Sequence, residues 1–256
     1  MLYKYSTKKF KIRNYFMNLK RLTRKNNELR KINFENKFSP YAEGSCFVKF
    51  GNTHIICTAS VEEKVPSWLR GKQKGWVTAE YGMIPRATHS RVDRDISKGK
   101  ISGRSQEIQR LIGRSLRSSI NLKELGERQI KIDCDVIQAD GGTRTASISG
   151  AWIALYDAIK LLISQGKITK NPIKSQVAAI SCGIINDEIF IDLDYNEDSN
   201  ATVDGNFVLT DNKEIIEIQS SSEQKPISKS NFLKMYELVE DNIEIIFKKQ
   251  RDILSL

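Results

Sequence analysis

The sequence predicts an α+β fold in one compact domain. Three observations carry this. RQIKIDCDVIQ (128–138) alternates Ile130, Ile132, Cys134 and Val136 on one face, the pattern of a half-buried strand. SQEIQRLIGRSLRSSI (105–120) places Ile108, Leu111, Ile112 and Leu116 on one helical face. Paired apolar runs separated by short polar turns read as hairpins on either side of them.

The elements follow in chain order. The first forty residues lack clear periodicity. FVKF (47–50) and HIICTAS (54–60) form a hairpin across GNT. Residues 62–104 are polar and rich in Gly, Lys and Arg, and read as long loops. The helix at 105–120 and the strand at 128–138 come next. Residues 145–165 form an apolar helix that Gly166 can end. VAAISCGII (177–185) and EIFIDLDY (188–195) make a hairpin about Asn186-Asp187. NFVLT (206–210) and EIIEIQ (214–219) make another about Asp211-Asn212. An amphipathic helix over 228–250 closes the chain, with Ser228 as its N-cap.

Composition narrows the function classes. The 256 residues are 39% hydrophobic and 28% charged, which is globular. No run of eighteen apolar residues predicts a membrane span, and the start lacks a signal peptide's apolar stretch. The basic opening is too poor in Ser and Ala for a transit peptide. Cys46, Cys57, Cys134 and Cys182 show no CxxC spacing and sit in or beside apolar runs. They read as core thiols in a reducing cytoplasm.

The net charge of +10 is unevenly placed. Residues 1–40 carry 12 Lys/Arg against 2 Asp/Glu, and the rest of the chain balances. Within that balanced part, Arg86, Arg91, Arg94, Lys98, Lys100 and Arg104 crowd one segment. Residues 187–204 carry seven acids and no Lys or Arg. A cationic and an acidic segment together suit a polyanion and a divalent metal, although solvated loops have the same composition.

QADGGTRTASISG (138–150) lies between the alternating strand and the apolar helix. Two glycines allow close backbone approach, and a helix N-terminus offers unpaired N–H groups. Arg144 adds a fork suited to phosphate oxygens. The stretch suits an anion site, or else a tight turn with a hydroxyl cap. No GxxxxGK[ST] is present, so it is not a P-loop.

Longer runs resemble the ribonuclease PH family. They are AEGS (42–45), GNT (51–53), VPSWLRG (65–71), GWVTAEYGMIPRATHSR (75–91), SGRSQEIQRLIGRSLR (102–117), LGER (125–128), DCDVIQADGGTRTASISGA (133–151), DLDYNEDS (192–199) and EIQ (217–219). The resemblance covers residues 19–256 and implies one ribonuclease PH-type domain, with a βαβ core and mixed sheets packed on helices. Residues 1–18 are expected to be a flexible basic extension, or in part translated leader if Met17 is the start.

The resemblance implies a phosphorolytic 3′→5′ exoribonuclease that trims tRNA precursors and other RNA 3′ ends. Inorganic phosphate is the co-substrate, nucleoside diphosphates are released, and the reverse reaction extends RNA. It also implies a homohexamer, a trimer of dimers, in the cytoplasm. Arg104, Gly142, Thr143 and Arg144 match the family's phosphate ligands. Asp198 and Asp204 match its paired carboxylates, which hold Mg²⁺ or Mn²⁺ or protonate the leaving 3′-oxygen. Arg86, Arg91 and Arg94 match arginines that contact RNA and support the ring. His54 and His89 carry no catalytic signal.

The chain departs from the family pattern at SSSE (220–223) for GTAE and at VDGN (203–206) for TDMN. Its opening LKRLTRKNNELRKI (19–32) keeps Arg24 and Arg30 but lacks Pro. These changes bear on rate more than on reaction class. The alternatives are an inactive RNA-binding ring subunit and a broader degrader of the polynucleotide phosphorylase type. Retention of both arginines and both carboxylates argues against the first, and the lack of an appended RNA-binding module against the second.

Overall fold

Two sheets enclose one largely buried helix. In this computed structural model, residue 21 and residues 24–222 and 225–256 are described. The extension 1–18 lies outside them. The first sheet has the order β1-β2-β3-β5-β4: β1 (Ile32–Asn36), β2 (Gly44–Phe50), β3 (Thr53–Glu62), β4 (Trp76–Met83) and β5 (Gln129–Gln138). The second has the order β7-β6-β8-β9: β6 (Val177–Ile185), β7 (Glu188–Ile191), β8 (Val203–Thr210) and β9 (Ile215–Ser222). Helix α2 (Thr143–Ser164) packs on β2 and β3 of the first sheet and on β6 of the second. It is long and apolar enough to cross a membrane, but here it is the buried centre of the core.

β4 and β5 are parallel, and α1 (Gly103–Ser118) makes the crossover between them, which gives the βαβ unit. α1 turns Ile108, Leu111, Ile112 and Leu116 inward, as its periodicity requires. Ser102 caps it by accepting from the Ser105 N–H. α3 (Tyr195–Asn200) is short, and α4 (Lys229–Leu254) covers β6 and β1. Ser228 is the N-cap of α4, as expected. The four cysteines are buried and free. Cys46, Cys57 and Cys134 stand side by side across β2, β3 and β5.

Four local expectations need correction. The segment 62–104 is not all loop: Val77, Ala79 and Tyr81 of β4 point inward at every second residue. β1 forms within the first forty residues, with Ile32 and Phe34 buried. The strand after Asn186-Asp187 stops at Ile191, because Asp192 takes a positive φ of 53° and Asp194 opens α3 with a capping box. α2 begins at Thr143 rather than 145, which puts Thr143 and Arg144 in its first turn.

Candidate active site

The strand β5 delivers the chain to Asp140, Gly141 and Gly142, and α2 begins at once. Gly141 and Gly142 have φ of 74° and 64°, the left-handed region that glycine occupies at little cost. A Cβ on Gly141 would lie 2.5 Å from backbone atoms of Leu193 and Asp194, so the turn is wedged against the start of α3. Its carbonyls are tied from behind. Thr53 Oγ1 donates to Gly141 O at 2.6 Å, and Arg30 Nη1 donates to Asp140 O at 2.5 Å.

No side chain caps α2 at Gly142. The turn is therefore not closed by a hydroxyl cap, and no side chain among the described residues takes up the first-turn N–H groups. They open onto a cleft of ≈ 620 Å³ lined almost wholly by polar groups. Arg104, Gly142, Thr143, Arg144, Asp198 and Asp204 all line this one cleft.

Each side chain arrives by a different route. Arg104 sits in the first turn of α1 and makes no ion pair among the described residues. Arg144 Nη2 rests 3.2 Å from Glu107 Oε2, also on α1. Arg144 Nε and Glu107 Oε1 are buried without hydrogen-bond partners among the described residues. Tyr81 of β4 donates to Thr143 Oγ1 at 2.8 Å. Burial raises the Tyr81 hydroxyl, and its bond holds the Thr143 side chain in place at the cleft wall. Tyr81 was not singled out by sequence, and its only signal is the inward alternation of β4.

Asp198 comes from α3 and Asp204 from β8. Burial, then the charge of Asp204, raise the Asp198 carboxyl; Arg104, Arg144 and Arg30 oppose that rise. Asp204 accepts from Ser221 Oγ at 2.7 Å, across the β8–β9 register in which the two residues are partners. The departure at 220–223 thus keeps a hydroxyl against this carboxylate. Gly205 is fixed between Cys182 and Ser220 in the middle of the sheet.

No group of three or more metal-ligating side chains occurs among the described residues. The donor set is two carboxylates beside an anion site. That fits Mg²⁺, which is commonly held by one or two carboxylates plus substrate phosphates and water. Arg86, Arg91 and Arg94 are not brought into this cleft. Arg91 pairs with Asp93 at 2.7 Å on the surface, and Arg94 lines a neighbouring cleft with Glu80 and Asp135.

The comparisons with known proteins cover most of the chain. Two family models match: 3′ exoribonuclease family, domain 1, over residues 28–160, and domain 2 over residues 175–240. A ribonuclease PH of Maricaulis maris is 58% identical over 215 residues, covering 84% of this chain and 90% of its own. A ribonuclease PH of Caulobacter vibrioides is 55% identical over 224 residues, covering 88% and 94%. Among solved structures, rice (Oryza sativa) Rrp46 aligns with a TM-score of 0.73 at 18% identity, over 90% of this chain and 97% of its own. A chain of the Archaeoglobus fulgidus exosome with RNA bound to the active site gives 0.71 at 16%, over 88% and 90%. These two likenesses concern the fold. With both family models matched and more than half of the aligned residues identical in each of the two bacterial relatives, the chain belongs to the ribonuclease PH family of 3′ exoribonucleases.

Proposed function

We propose that this chain shortens RNA from the 3′ end by phosphorolysis, trimming tRNA precursors and releasing nucleoside diphosphates. The observation that carries the reading is one cleft holding both an uncapped helix N-terminus with two guanidiniums and a pair of carboxylates. Arg104, Arg144 and the N–H groups of the Gly142–Thr143 turn hold inorganic phosphate, and the Thr143 hydroxyl adds a donor. Two positive side chains and a helix dipole offset the repulsion between this dianion and the RNA phosphodiester. Fixing the two reactants together supplies the positional advantage.

A phosphate oxygen forms a bond to the terminal phosphorus, and the bond to the preceding ribose 3′-oxygen breaks. That oxygen takes up a proton, and the terminal nucleotide leaves as its diphosphate. A phosphodiester is exchanged for a diphosphate, so excess nucleoside diphosphate drives the reverse reaction. Asp198 and Asp204 would hold Mg²⁺, which supplies charge neutralisation at the scissile phosphate. The alternative role is that one of the two carboxyls, free of metal, protonates the leaving oxygen. Arg86, Arg91 and Arg94, outside the cleft, are read as contacts for the upstream RNA and for neighbouring subunits of a hexameric ring in the cytoplasm.

The test is incubation with 3′-extended RNA, with and without phosphate, followed by product analysis. Nucleoside 5′-diphosphates are expected, and only when phosphate is present. Robust release of monophosphates in phosphate-free buffer would overturn the reading.

A further inference from the structure

Behind the cleft lies a cluster of buried charge that the chemistry above does not use. The side chains of Arg24 and Arg30 are 10% and 8% exposed, and those of Asp192 and Glu197 are 2% and 3%. Buried ions are costly unless each finds a partner, and here the pairing is dense. Arg30 forks onto Asp192, with Nη2 to Oδ1 at 2.7 Å and Nε to Oδ2 at 3.0 Å. Its backbone N–H also donates to Asp192 Oδ2 at 2.7 Å. The other side of the same guanidinium holds Asp140 O, in the turn that opens onto the phosphate site.

The chain through Asp192 leads directly to the carboxylates. Arg24 Nη2 donates to Asp192 O at 2.7 Å and to Glu197 Oε2 at 2.9 Å. Arg21 adds Nε to Glu197 Oε1 at 2.5 Å and Nη2 to Ile191 O at 2.5 Å. Glu197 closes the capping box of α3 and immediately precedes Asp198. One short segment therefore grips the back of the phosphate turn at one end and the base of the Asp198 helix at the other. Arg21 and Arg24 lie ahead of the region matched by the domain 1 model, which starts at residue 28.

We propose that Arg24 and Arg30 are positioning residues: Arg30 sets the phosphate turn, and Arg24, through Glu197, sets the helix that carries Asp198. The segment 24–30 then fixes the distance between nucleophile and carboxylates. This inference rests on the phosphate and carboxylate roles given above.

The experiment is steady-state kinetics on full-length Arg24→Ala and Arg30→Ala with 3′-extended RNA, alongside Arg144→Ala. Arg30→Ala should raise the KM for phosphate by roughly tenfold or more, as loss of a supporting contact does. Arg24→Ala should lower kcat by roughly tenfold or more at saturating phosphate, with the phosphate KM little changed. It should also weaken Mn²⁺ binding, followed by electron paramagnetic resonance without RNA. Arg24→Lys and Arg30→Lys, which keep the charge but not the fork, should recover part of each loss. If the alanine variants do not fold, the lysine variants should show the same two separate defects in milder form. Folded variants that lose only melting temperature, with kcat and both constants at wild-type values, would overturn the proposal. If Arg144→Ala also leaves the phosphate KM unchanged, the phosphate-site assignment itself falls.

Discussion

Asp198 and Asp204 face the same cleft from surroundings that differ. Asp198 is raised by burial and by its neighbour, whereas Asp204 has a hydroxyl donor in Ser221. On the chemistry proposed for them, neutralising either one removes charge that matters mainly in the transition state. Asp198→Asn or Asp204→Asn should cost roughly a hundredfold in turnover, on the order of 3 kcal/mol, with RNA binding largely kept. Single-turnover kinetics beside a binding titration checks this, and wild-type turnover in either variant would remove that residue from the chemistry. Asp192 makes a second case. Burial pushes its carboxyl up, but the Arg30 guanidinium and its hydrogen bonds outweigh this and hold it below the usual range. A carboxyl lowered by folding stabilises the protein above its unfolded value of about 4, and the gain is lost as pH falls through the lower folded value. Wild type should therefore melt well above Asp192→Asn at neutral pH, and the gap should close on acidification. A gap independent of pH would mean that shape, not charge, holds Arg30.

At the scale of elements, the turn before α2 shows how backbone and site depend on each other. Gly141→Ala would place a methyl group against the backbone of Leu193 and Asp194 at a positive φ. Strain of roughly 1–3 kcal/mol is expected from the dihedral alone, before the clash is counted. The variant should melt lower and lose phosphate affinity, and calorimetry with a phosphate titration reads both. Much of this architecture is legible in the sequence. α1 shows in its apolar periodicity, α2 in its apolar run and the Gly166 that ends it, α4 in its amphipathic pattern and its Ser228 cap, and β5 in its strict alternation. The six residues of the cleft come from the family resemblance, and the turn's local chemistry independently points to an anion. Other parts are hidden for physical reasons. β4 lies in a charged, glycine-rich stretch, so its inward Val77, Ala79 and Tyr81 are masked by polar neighbours. The end of β7 depends on one left-handed residue, Asp192, which no apolar period reports. Arg30 meets Asp192 across 162 positions of chain, a pairing that only the folded topology creates.

At the scale of the whole molecule, the charge lies unevenly and the active cleft holds only part of it. Arg86 and Arg91 stand outside the cleft, on the exposed basic loop after β4. If that loop serves assembly, Arg86→Ala or Arg91→Ala should shift a ring toward smaller species and weaken tRNA binding more than short RNA. Light scattering that finds wild type monomeric at working concentration would contradict this. The first sixteen residues pose a separate question. They hold Lys4, Lys8, Lys9, Lys11 and Arg13 and no acid. Among the described residues the contacts of the buried charge cluster start at Arg21, outside the segment 1–16. Five cations add at most about 0.7 each, roughly 3.5 in all, to the single-strand salt slope of binding. Deletion of 1–16 should therefore preserve cleavage of short RNA at saturating substrate. Binding at low salt should weaken, and its salt dependence should flatten. A truncated chain that is inactive would show that the segment belongs to the domain. A salt slope identical to that of the full chain would show that its charge does not reach RNA.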